Sequence, residues 1–259
     1  MRVRAALSRA MAAIFFLGMV AGTALPSWGA TEAELVQLLD QADRRYADVD
    51  DYTAILLRRE MIGEVLRPQE TILMKFQRPF KVYMKWIEGP GKGREGLYVA
   101  GAHKDRFLVH EGRGFRGLVT AALDPSHPRV LEESRHPITD VGIGRLLEII
   151  GENARRAARE SVLRLVDWGP GTVAGRQVHQ VEGILPRDPG AGYYCHRVFV
   201  SFDQENDLPI RVVVYDWSDQ IVEEYEYTQL RQNPGFTDRD FDPDNPDYGF
   251  SPWRISIPR

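Results

Sequence analysis

Few residues of this 259-residue chain have the chemistry to ligate, cleave or transfer, and their spacing works against most reactions. His103, His110, His127, His136, His179 and His196 form neither an HExxH motif nor an i, i+4 pair, so a zinc site is not expected. Asp238, Asp240 and Asp242 open like a calcium loop, but Pro243 stands where a glycine must turn and Gly249 where a bidentate glutamate belongs. The prolines and Asn245 point instead to an extended tail pinned by Phe241, Tyr248 and Phe250. The loop Gly89-Pro90-Gly91-Lys92-Gly93 lacks the Ser or Thr after lysine, and the following helix, that a phosphate cradle requires. Cys195, the single cysteine, adjoins His196 in a strand-like stretch that sends neighbouring side chains to opposite faces, so it reads as a small buried hydrophobe. No G-x-S-x-G is present, and Glu95 beside Arg94, like the pair Glu223-Glu224, reads as paired or solvated surface charge. The chain is therefore expected to be no enzyme, with no catalytic residue, metal or cofactor.

What must position any site is a mainly β (α+β) chain. Thr71–Glu88 alternates Ile72, Met74, Phe76, Phe80, Val82, Met84 and Trp86 on one face with Lys75, Lys81 and Lys85 on the other, reversing at Arg78-Pro79. That greasy face needs cover, from the chain's own helices or from a ligand, and its residues are the candidate ligand-binding surface. A first helix reads from a capping box at Thr31 and Glu34, with Leu35, Leu38 and Leu39 on one face to about Asp48. A second carries Ile143, Leu146, Leu147 and Ile150, with Thr139 or Asp140 as its cap and Arg155, Arg156 and Arg159 at its C-terminal end. Leu39, Leu146 and Ile150 complete the candidate ligand-binding set.

The remaining strands read over Tyr52–Ile62, with Ile55, Leu57 and Met61 opposite Arg58 and Glu60, then Gly96–Ala100, Arg106–Glu111, Val162–Trp168, Arg176–Leu185, Tyr193–Asp203, Pro209–Trp217 and Gln220–Leu230. Gly112–Pro137 reads as irregular. About ten antiparallel strands exceed what stays flat, so a large curved sheet closing into an incomplete barrel is expected, with the helices as a lid over its concave side.

Composition adds an address. Arg2, Arg4 and Arg9 precede an apolar run and then Pro26-Ser27-Trp28-Gly29, the pattern of a signal peptide over residues 1–29, leaving one domain over residues 30–259. No cysteine follows the cleavage region, which disfavours a lipid-modified lipoprotein. Removing that stretch leaves 30 cations against 37 anions, a formal charge of −7, so nucleic acid is not an expected partner.

The blocks RPFKVYMKW with GREGLYV, HPITDVGIGRLLEII, and FDPDNPDYGF resemble those of an uncharacterised exported bacterial domain family of unknown function, itself similar to the lipoprotein-binding envelope proteins LolA, LolB and RseB. The resemblance covers about Leu35 to Phe250. It implies a LolA-like half-barrel in the periplasm whose apolar concave face holds a lipid or lipoprotein acyl chain, as carrier or chaperone. The alternative it leaves open is an envelope sensor or interaction module that binds an envelope protein through residues 112–137 and the acidic tail. It brings no ligand motif; Arg58 or Arg59 is the group it would place at a lid latch.

Overall fold

A computed structural model describes residues 32–112, 114 and 119–257. The expected signal peptide and the Thr31 cap lie outside the described residues. The chain opens with helix α1 (Glu32–Ala47), then runs through β1 (Asp51–Ile62), β2 (Val65–Leu66), β3 (Glu70–Gln77), β4 (Lys81–Glu88), β5 (Glu95–Val99), β6 (Phe107–His110) and β7 (Thr120–Leu123). After the single-turn helix α2 (Pro128–Leu131) and helix α3 (Ile143–Arg159) come β8 (Arg164–Val173), β9 (Arg176–Ile184), β10 (Arg197–Asp203), β11 (Pro209–Tyr215), β12 (Ile221–Gln232) and β13 (Arg254–Ser256). The described strands form one curved, open sheet in the order β13-β7-β6-β5-β4-β3-β1-β12-β11-β10-β9-β8, with β2 paired to β1. Every pairing is antiparallel except β13 with β7.

The expected hairpin is β3 and β4, in the register Met74 opposite Met84 and Phe76 opposite Val82. Its alternation decides which residues go inward: Ile72, Met74, Phe76, Val82, Met84 and Trp86 are buried in the main core beneath the helices, and Phe80 is half-buried against it. Burying each such side chain contributes about 1.5–3 kcal/mol, so this face alone commits the hairpin to its side of the sheet. The opposite face is covered as well. Tyr83, Leu97 and Leu108 make a second apolar cluster with Phe241 and Phe250 of the tail, as expected for the tail residues. The hairpin's lysines meet the tail's aspartates there, Lys75 Nζ at 2.8 Å from Asp240 and Lys81 Nζ at 2.8 Å from Asp238.

The helices sit together on the concave side. Arg155 of α3 reaches Asp40 at 2.8 Å and Asp43 at 2.6 Å on α1. Gly144 brings their backbones close, since a Cβ there would stand 2.4 Å from the Tyr46 ring. The start of α3 corrects the sequence reading. Thr139 and Asp140 belong to a preceding 3₁₀ turn, and the N-cap is Gly142 at φ 112°, which offers no side chain. The buried Tyr52 hydroxyl takes the cap's place and accepts from the Ile143 amide at 3.1 Å, supplying one of the partners that the first turn of a helix lacks.

Two further corrections concern β1 and residues 112–137. On β1 the inward side is the one carrying Tyr52, Ala54, Leu56, Arg58 and Glu60, while Ile55 and Leu57 are half-buried on the other, and Met61, near the end of the strand, packs against the main core. Strand parity fixes which residues share a face, but not which face turns inward. Within 112–137, read as irregular, the chain makes both β7 and α2.

Candidate functional site

Between the concave face and α3 the packing leaves a cavity of about 460 Å³, within the ~300–1,000 Å³ usual for small-molecule sites. Its floor is aliphatic: Leu56 of β1, Met84 of β4, Val181 of β9, Val200 of β10, and Val212 and Val214 of β11. The roof is Leu146, Ile149, Ile150 and Ala154 of α3, continued by Ile138 and Val141. Valine dominates the floor because β9–β11 are inner strands whose inward positions favour β-branched side chains.

Of the ten expected ligand-binding residues, Met84, Trp86, Leu146 and Ile150 line this cavity. Ile72, Met74, Phe76, Phe80, Val82 and Leu39 belong to the same core but not to the cavity wall. Ile72 and Met74, although opposite Trp86 and Met84, are fully buried, and aromatic stacking accounts for Phe76 and Phe80. Tyr52 stacks on Phe76 at 5.1 Å, Phe76 meets Phe80 edge-on at 5.3 Å, and Phe80 meets Tyr98 at 5.9 Å, so the turn end of the hairpin is packed solid. The other end, where Met84 and Trp86 point, is open.

One wall is polar, and the sequence reading missed it. Glu60, Glu223, Tyr225, Tyr194 and His136 all face the cavity. Glu223 is the centre: Arg135 Nε donates to it at 2.7 Å, His136 Nε2 lies 3.1 Å away, and the Tyr194 hydroxyl donates as well. Glu60 accepts from the Tyr225 hydroxyl at 2.6 Å and from the Arg135 amide at 3.1 Å. Arg58 is held by Glu70 at 2.6 Å and donates to the Ser134 hydroxyl at 3.1 Å. Residues 134–136 are thus stitched across the mouth to β1 and β12. Arg58 takes part in that stitching, whereas Arg59 turns outward to Glu224. Glu223 and Glu224, read together as surface charge, part company: Glu223 is 2% exposed, and Glu224 is the outward one. The available signal was parity, since Glu223, Tyr225 and Tyr227 occupy one face of β12 and all three line the cavity.

Burial alone would raise the Glu223 carboxyl, but hydrogen bonds from His136, Tyr194 and Arg135, with the His136 charge, hold it below its ordinary range. Burial likewise opposes a charge on His136, yet Glu223 raises that imidazole above its usual value. Cys195 also lines the cavity, and burial, helped by Glu223, pushes its thiol up to about 12. A thiol so held is protonated and a poor nucleophile. Among the described residues no three His, Cys, Asp or Glu side chains gather in a geometry that could hold a metal. The arrangement is chemically suited to enclosing an apolar body beneath a polar fastening.

A family described as a protein of unknown function, DUF1571, matches residues 49–250, in line with the resemblance read from the sequence. No curated protein matches the chain. Among solved structures, the chain is 14% identical to the lipoprotein LppX of Mycobacterium tuberculosis, covering 82% of this chain and 100% of that one at a TM-score of 0.49. With MucB in the Pseudomonas aeruginosa MucA/MucB complex it is 15% identical, covering 81% of this chain and 60% of that one at 0.44. With a LolA superfamily protein of Nitrosomonas europaea it is 11% identical, covering 82% and 98% at 0.38. The chain therefore spans less than two thirds of MucB, and likenesses this distant bring no ligand or partner with them.

Proposed function

The chain belongs to the DUF1571 family, and we propose from its own geometry that it is a non-enzymatic periplasmic binding protein, one domain behind a cleaved leader, whose cavity holds a lipid or lipoprotein acyl chain. The observation that carries this reading is the aliphatic cavity itself. About 460 Å³ of space walled by Leu56, Val200, Val212, Leu146 and Ile150 is expensive to leave empty, because unfilled apolar volume forfeits packing contacts. An unbranched chain fits such a space without demanding hydrogen bonds from its floor. The reading agrees with the export signal expected of residues 1–29, and the protonated Cys195 fits a container better than a catalyst.

The test is occupancy. Native mass spectrometry of gently purified protein should find a co-purifying lipid, and a fluorescent fatty acid should bind the delipidated chain. Val212→Phe, which places a ring in the cavity, should weaken probe binding at least tenfold while costing about 1–3 kcal/mol of stability through overpacking. An empty protein that ignores the probe sinks the proposal. The second reading, a sensor of an envelope protein, would use the carboxylates of the tail, since Phe241 and Phe250 are buried against this chain's own sheet while Asp238 and Asp244 face solvent.

A further inference from the structure

Ile255 belongs to two surfaces at once. It lines the cavity, yet it is 52% exposed, so β13 forms part of the mouth. The strand is held there by parallel pairing with β7, Ile255 lying opposite Ala121, with the Thr120 amide donating to the Trp253 carbonyl at 2.9 Å and the Ile257 amide to the Ala122 carbonyl at 3.1 Å. Alternation then sorts the side chains. Arg254 turns to the tail and pairs with Asp244 at 3.1 Å, while Ile255 and Ile257 face the cavity and Trp253, two residues before Ile255, stands at the same parity. Ile257 is in the cavity wall, and Trp253 is 77% exposed. α2 contributes Val130 and Arg129 to the same lining and leaves Leu131 40% exposed beside them. Arg129 has no ion-pair partner among the described residues.

The lip of the cavity thus carries exposed apolar side chains that run into the apolar interior, beside the charged Arg129, Glu132 and Glu133. We propose that this lip, with Trp253 and Leu131 as its foremost side chains, is a membrane-docking surface, seating in the interfacial layer of a bilayer so that an acyl chain passes between bilayer and cavity without crossing water. The proposal rests on the container reading above. Three features favour a lipid surface as the occupant. Trp253, Ile255 and Leu131 are exposed where the cavity opens, so an acyl chain leaving the cavity meets apolar side chains on its way. A tryptophan, apolar in body with one polar N–H, is the residue suited to headgroup depth. The unpaired Arg129 guanidinium complements lipid phosphate, although Glu132 and Glu133 follow it closely, so insertion dominates and attraction to anionic headgroups is secondary. Among the described residues no helix is long and apolar enough to cross a membrane.

The experiment uses the full chain with phosphatidylcholine vesicles, with and without phosphatidylglycerol. Wild type should co-sediment with both, and Trp253 emission, isolated by subtracting a Trp253→Phe variant, should shift to the blue and be quenched by brominated lipid. The double variant Trp253→Ser, Leu131→Ser should lose at least tenfold in vesicle binding while keeping its melting temperature and its uptake of a soluble fluorescent fatty acid. Wild type that takes up the probe but ignores vesicles, or a double variant that binds vesicles as wild type does, overturns the docking surface and leaves the container intact. Vesicle binding through Trp253 in a chain that takes up no probe supports docking and overturns the container.

Discussion

Glu223 is almost wholly withdrawn from bulk solvent and has three polar partners around it. A carboxylate in that position is stable only while its partners stay, so the mouth of the cavity answers to pH through two groups of opposite sense. Glu223 titrates below its unfolded value, so it contributes stability that is present above about pH 4.5 and is lost as pH falls through its depressed value. His136 titrates above its unfolded value, so its contribution is complete below about pH 6.5 and is lost as pH rises through its raised value. The fastening of residues 134–136 is therefore tightest in mildly acidic solution. Melting curves of wild type against His136→Gln should differ most near pH 5–6 and converge toward pH 9. Glu223→Ala, which strands Arg135 and His136 beside an empty space, should cost about 3 kcal/mol. None of this was legible from the letters Glu223-Glu224, because a one-residue change of parity exchanges core for solvent. Arg58, which the family resemblance would place at a lid latch, is held by Glu70 and donates to Ser134.

The tail is fastened to the outside of the sheet by two kinds of contact whose sizes differ. Lys75 holds Asp240 in a partly exposed ion pair that contributes about 0–1 kcal/mol and weakens in salt, and Lys81 meets Asp238, whose carboxylate stands in full solvent, where screening is strongest. Phe241 and Phe250 are buried against Leu97 and Leu108, with Tyr248 stacked on Tyr83 at 3.9 Å. Truncating a buried aromatic costs about 3–5 kcal/mol. Aromatics, not charges, therefore keep the tail in place: Phe241→Ala should lower stability by about 3 kcal/mol and speed hydrogen exchange across β5 and β6, whereas half-molar salt should change the melting point only slightly. The long hairpin and α3 could be read in advance because eight to seventeen residues give a periodicity room to repeat. β7 is TAAL and β13 is RIS. Three or four residues cannot alternate often enough to announce a strand, and β13 exists only because β7 offers it an edge.

For the molecule as a whole, occupancy and stability are linked. A ligand that binds only the folded chain raises stability by about 2.7 kcal/mol at a hundred times its dissociation constant. Delipidated protein should therefore melt several degrees below protein supplied with fatty acid, and Val212→Phe should abolish that difference. The curved sheet with helices on its hollow side was legible, since strand number and helix periodicity are written locally. The 460 Å³ gap was not. It depends on how closely α3 sits on the sheet, which at the helix start rests on Gly142, where a Cβ would stand 3.0 Å from the Tyr52 hydroxyl and 3.5 Å from Phe76, and no single stretch of sequence carries it.

The seam between β1 and β12 also sets a timetable. β1 is twelve residues long, and the strand that covers one whole side of it comes from the far end of the chain, with Thr228 reaching the Ile55 carbonyl across 173 residues. A chain made N-terminus first holds β1 with that edge bare while β3 to β11 appear, and a bare edge is a template for pairing with any other extended chain. A nascent chain stopped before Ile221 should aggregate where the finished one stays dissolved. The last forty residues are thus what render the earlier two hundred safe to release, and until they arrive the polypeptide depends on something else to keep its first strand apart from its neighbours.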